Sequence, residues 1–137
     1  RLRREDPVSS TARVSVAGAA SAETVWQRYT RPALWPTWSP QIRSVEYEHP
    51  TLRPWTKGVV RTFAGIGIPF TIEEVDVADH TWSWHVVALG LRLHLVHGVL
   101  PHPMGSETWL EVTGPPVVGR AYARVATLAL RRLVRAQ

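Results

Sequence analysis

Six histidines carry the most versatile chemistry in this chain, because imidazole changes charge near neutral pH and can serve as base, donor or metal ligand. Their spacing decides which can act together. His94 and His97 are three residues apart, which on a strand sends them to opposite faces and prevents them from sharing one ion. The surrounding stretch, residues 81–100, reads TWSWHVVALGLRLHLVHGVL and alternates like a hairpin turning at Leu89-Gly90. That turn pairs Val86 with Leu93, Trp84 with Leu95 and Trp82 with His97 on one face, leaving Ser83, His85, Arg92 and His94 on the other. A slip of one residue would exchange the faces, so the one-sided pattern fixes the register. His97 then sits among tryptophans and leucines. It is either a working group with a free lone pair or a core imidazole bonded to a neighbour, and burial lowers its pKa in both cases.

Other chemistries fail on inventory or geometry. The chain contains no cysteine, which removes thiolate nucleophiles, disulfides and cysteine-ligated zinc together. His85 and His94 can meet across the outer face of the hairpin, yet no third side chain is seen to converge on them, and no metal centre is expected. Glu73 and Glu74 are consecutive and should alternate faces, while Asp76 and Asp79 fall at a strand end or turn. An inward carboxylate pair of the glycosidase kind is therefore not indicated.

At 137 residues the chain reads as one domain that buries roughly two-thirds of its unfolded surface. Residues 1–11 are charged and then Ser/Thr-rich, and are expected to be poorly ordered, with the folded domain spanning 12–137. Residues 11–18 alternate as a first strand. Ser21 is placed to cap a helix over 22–29 with Val25, Trp26 and Tyr29 on its apolar face. Pro36 and Pro40 divide ALWPTWSP, so a second short helix or turn follows. Period two then takes over in residues 41–48, 58–64, 69–77, 81–88, 91–100 and 107–113. Gly114-Pro115-Pro116 breaks the sheet, and 117–135 reads as a helix with Val118, Tyr122, Val125, Ala126, Ala129 and Leu133 on its apolar face. No run approaches the ~18 apolar residues of a membrane span, and no charged-then-apolar leader opens the sequence, which reads as soluble and cytoplasmic.

A seven-stranded sheet with one apolar face and one long amphipathic helix packs most simply with the sheet curled round the helix. Small residues on the helix's buried side leave room for a cavity, and cavities of this kind are mainly apolar with a few placed polar groups. The expected lining is Phe63, Phe70, Trp82, Trp84, Leu93 and Leu95 from the sheet, Trp38 from the proline-bounded segment, and Val118 and Ala126 from the helix. The formal charge of +5 comes from arginine almost alone, Lys57 being the single lysine. Arg120, Arg124, Arg131 and Arg135 fall within roughly 60° of one another at about 100° per residue, either as the wet side of the helix or as an anion, nucleic-acid, membrane-surface or protein-interaction patch. Without interleaved exposed aromatics the stripe does not suit nucleic acid.

The order strand, two small helices, six strands, long helix resembles the START-like superfamily, in particular its polyketide cyclase/dehydrase branch. The residues that carry the resemblance are SAETVWQRYTRPALWPTWSPQIRSVE with its Trp-x-x-Trp segment, KGVVRTF, FTIEEVDVADHTWSWHV, LGLRLHLVHGVLP and GSETWLEVTGPP, and it covers residue 11 to the end. It implies an α+β helix-grip fold of the START/Bet v 1-like type, a curved seven-stranded antiparallel sheet wrapped round a long C-terminal helix with two short helices between strands one and two. It also implies a hydrophobic or aromatic small molecule as partner, either cyclised or simply carried or sensed. Intramolecular aldol cyclisation needs a base beside the acidic methylene and a donor for the developing enolate. His97 is the candidate base, with Tyr122 or Arg61 as donor, provided Arg61 points inward with Val59 and Phe63. A carrier would tolerate replacement of all three. No cofactor is implied, and a homodimer is left open.

Overall fold

The computed structural model describes residues 10–136. One antiparallel sheet contains β1 (Ser10–Gly18), β2 (Ile42–Glu46), β3 (Lys57–Thr62), β4 (Gly67–Asp76), β5 (Thr81–Ala88), β6 (Leu91–His102) and β7 (Gly105–Gly114). Their spatial order is β1-β7-β6-β5-β4-β3-β2, so β2 to β7 form a meander and β1 joins it at the far edge. Between β1 and β2 lie α1 (Ala22–Thr30), a 3-10 turn (Pro32–Leu34) and α2 (Trp35–Trp38), and α3 (Pro116–Leu133) follows β7. The sheet curls round α3, which packs on β1 and β7, with α1 against β6 and β7 and α2 against α3. This is the helix-grip architecture.

Local chemistry explains the boundaries. Ser21 caps α1, its hydroxyl accepting from the Thr24 N–H at 3.1 Å. Leu89 and Gly90 both adopt left-handed φ, 53° and 75°, as a two-residue hairpin turn requires if its twist is to match the strands. The β5–β6 register is the one expected, with Trp82 opposite His97, Trp84 opposite Leu95 and Val86 opposite Leu93. In β4 a bulge between Ile72 and Glu74 inserts an extra residue against β5. That bulge corrects the expectation that Glu73 and Glu74 alternate, because both now border the outer grooves.

Two further expectations change. Ser10 and Thr11 pair with Gly114 and Thr113 as the start of β1, while residues 1–9 of the segment expected to be poorly ordered lie outside the described residues. On α3 the buried stripe runs through Gly119, Ala123, Ala126, Ala129, Leu130 and Leu133, which turns Val125 outward to 56% exposure. Small residues let the helix approach the sheet, so the stripe centres on them.

Candidate functional site

His97 is buried on the inner face, its ring stacked on Trp82 with centroids 4.5 Å apart and planes 8° from parallel. Both of its nitrogens are engaged. The Trp84 indole N–H donates to Nε2 at 3.1 Å, which makes Nε2 the acceptor and puts the ring proton on Nδ1. Nδ1–H donates to the Tyr29 hydroxyl at 3.3 Å. Tyr29 in turn donates to Thr108 Oγ1, and the Thr108 hydroxyl donates to the Gly98 carbonyl at 2.9 Å. Every donor in this chain of bonds has one acceptor, and every proton runs the same way. Burial pushes the His97 pKa down to about 3, and it raises that of Tyr29 against the opposing bond to Thr108.

Two adjoining cavities lie between sheet and helices. The first, of about 50 Å³, is bounded by Trp35, Trp38, Trp82, His97, Tyr122 and Ala126 among others. The second, of about 140 Å³, is bounded by Val60, Thr62, Ile68, Val86, Ala88 and Leu93. Gln41, Ile42, Trp84 and Tyr122 border both, so Trp84 and Tyr122 form the partition. Burial alone pushes the Tyr122 phenol up to about 12, which keeps it protonated at neutral pH. The Trp82 Nε1–H is buried without a partner among the described residues.

The expected site residues therefore divide. His97, Tyr122, Trp38, Trp82, Trp84, Leu93 and Ala126 border a cavity. Phe70, Leu95 and Val118 pack in or against the core without bordering either space. Arg61 and Phe63 are corrections. Arg61 extends along the outer surface to Glu46, Nε to Oε2 2.8 Å, and cannot donate inside. Phe63 is 70% exposed, since Val60 and Thr62 take the inner face and alternation carries residues 59, 61 and 63 outward together. Thr108 and the lip residues Gln41 and Ile42 were not singled out by spacing, while Tyr29 was expected only on the apolar face of α1 and Trp35 only with Trp38 as an aromatic of the proline-bounded segment. Only the apolar face Val25-Trp26-Tyr29 and the proline-bounded tryptophans signalled that these segments turn inward.

On the outer face His85 and His94 do meet, and a third side chain joins them. Glu73 accepts from His85 Nδ1 and His94 Nε2, each at 2.9 Å and each on a separate carboxylate oxygen. Arg92 approaches His85 Nε2 at 3.1 Å. Burial would raise the Glu73 pKa, but the two imidazoles outweigh it and hold the carboxyl below its usual value. Among the described residues no His, Asp or Glu cluster is arranged to hold a metal ion.

Fold and cavities together define a helix-grip protein of the ligand-binding type. The chain belongs to the family described as polyketide cyclase/dehydrase and lipid transport, whose model matches residues 8–137. Among solved structures it is similar to the crystal structure of Ara h 8.0201, with a TM-score of 0.74 and 15% identity over 91% of this chain and 95% of that one. At that identity the likeness concerns the fold. No curated protein matches the chain. No helix among the described residues is long and apolar enough to cross a membrane.

Proposed function

We propose that the protein holds a small hydrophobic or aromatic molecule in the paired cavities and carries or senses it without transforming it. The observation that supports this reading over a cyclase is the saturation of His97, whose lone pair receives the Trp84 N–H and whose proton is given to Tyr29. A general base needs a lone pair within reach of the proton it removes. With Arg61 outside, the polar side chains that border the cavities beside His97 are Tyr122, Gln41, Ser39 and Thr62, and the Tyr122 phenol, protonated at neutral pH, is able to donate. A few polar groups on a mainly apolar wall suit a molecule with a carbonyl or ether oxygen on an apolar body.

Size is restrictive. A dry cavity near 150 Å³ accepts one benzene-sized ring, and typical ligand pockets run from about 300 to 1,000 Å³. A single ring therefore fits the larger space of about 140 Å³, while a longer ligand must join the two by moving Trp84 or Tyr122. Uptake of 1-aminoanthracene, read by energy transfer from tryptophan, tests the reading. The wild type and His97→Gln should take up the probe, and Ala126→Val, which narrows the first cavity of about 50 Å³ by two methyl groups, should weaken uptake. Equal uptake by Ala126→Val would move the site elsewhere. Cyclisation of a poly-β-ketone thioester by the wild type but not by His97→Gln would replace the carrier with a catalyst.

A further inference from the structure

The end of the sheet that borders the larger cavity combines exposed apolar side chains with an excess of cations. Arg61 lies opposite Gly67 in the β3–β4 hairpin, Phe70 opposite Val86, Ala88 opposite Leu91, and His94 opposite Thr113 just before β7 ends. These pairings bring the β3–β4 turn, the β5–β6 turn and the start of α3 to one end, where Phe63 N–H bonds the Gln41 carbonyl at the cavity lip. Thr62, Ile68, Ala88 and Leu93 from the same segments line the cavity itself. At this end Leu89 is 87% exposed, Val117 71%, Phe63 70% and Ile66 46%. Leu89 stands in the left-handed region at φ 53°, where Asn or Gly is favoured, and no buried contact offsets its strain.

The charge of this end is mainly positive, with Glu73 beside His85 and His94 as an acid on its outer face. Residues 58–72, 84–95 and 112–125 contain no Asp or Glu, but they contain Arg61, Arg92, Arg120 and Arg124. Arg61 is neutralised by Glu46, and the other three are exposed. Acids gather at the opposite end, with Asp76 and Asp79 at the β4–β5 turn and Glu23 in the first turn of α1. Two copies meeting through this end would bring like charges together. An anionic lipid surface matches both properties, because exposed apolar side chains beside cations are what holds a protein in the headgroup layer.

We propose that this end docks on anionic bilayers, with Phe63, Ile66, Leu89 and Val117 entering the headgroup layer and Arg92, Arg120 and Arg124 meeting lipid phosphates. The cavity then opens onto the membrane that supplies or receives its ligand. This rests on the cavity reading for its purpose, though not for its test.

Flotation of the full chain with phosphatidylcholine vesicles, with and without phosphatidylserine, decides the matter. Binding is expected only with phosphatidylserine and should weaken with salt. Arg120→Ala and Arg124→Ala should each lower the partition coefficient about fivefold, and Leu89→Asn about tenfold. Asn suits the turn conformation, so loss of binding by Leu89→Asn cannot be assigned to unfolding. Absence of binding to the anionic vesicles, unaltered binding by Leu89→Asn, or a solution dimer that Leu89→Asn dissociates would each overturn the proposal. Uptake of 1-aminoanthracene without vesicles reports on the cavity separately, so failure of one reading is distinguishable from failure of the other.

Discussion

The saturated imidazole makes a quantitative demand on acid stability. His97 has an ordinary pKa of 6.5 when unfolded and about 3 when buried. The folded value is the lower one, so between the two the unfolded chain binds a proton that the folded chain refuses, and stability falls as pH falls. Each pH unit within that window costs about 1.4 kcal/mol, and because the window opens near the unfolded pKa, acidification from about pH 7 to about pH 5 costs roughly 2 kcal/mol. That is a large share of the ~5–15 kcal/mol typical of a domain. His97→Gln isolates the effect, since its side-chain oxygen can accept from Trp84 and its amide can donate to Tyr29 without titrating. Urea denaturation followed by circular dichroism at a series of pH values should show the wild type losing about 2 kcal/mol more than the variant over this range. Parallel losses in both proteins, or an NMR titration placing the His97 ring near its ordinary pKa, would refute the assigned bonding.

Other consequences follow from contacts already described. Tyr29→Phe leaves the His97 Nδ1–H without its acceptor, and should destabilise the fold by about 1–3 kcal/mol in urea titrations. Gly98→Ala would place a Cβ 2.2 Å from the Trp109 indole, forcing that ring off the sheet and away from Arg13, whose guanidinium carbon lies 4.7 Å from the ring centroid. A loss of about 1–3 kcal/mol and a red shift in tryptophan emission are expected. Glu73 has a folded pKa below its unfolded value of 4.5, so its contribution is full above that value and disappears as pH falls through the folded one. Glu73→Gln should therefore be less stable than the wild type at neutral pH and equal to it in strong acid, as thermal melts will show.

Much of the architecture was legible because period-two alternation and its punctuation are local signals. The hairpin of β5 and β6 illustrates this, since one turn dipeptide and two alternating runs place Trp82, Trp84 and His97 on the inner face. The bulge in β4 was not legible, because TIEEVD has no glycine or other mark of an extra residue, and Glu74 consequently lies on the outer side with Glu73. Arg61 and Phe63 were misplaced for another reason: alternation states which residues share a face but not which of the two faces is the inner one, and here Val60 and Thr62 took it. The bond from His97 to Tyr29 spans 68 positions. A single sequence holds no signal for such a pairing, and it is this bond, together with Trp84, that turns a candidate base into a satisfied core residue.

Trp84 has two duties that a single movement would release together. Its ring partitions the cavities, and its N–H covers the His97 lone pair. A ligand long enough to push the indole aside would gain room and, in the same motion, meet an uncovered imidazole nitrogen. Enlarging the interior and uncovering the imidazole nitrogen would therefore take the same side-chain movement.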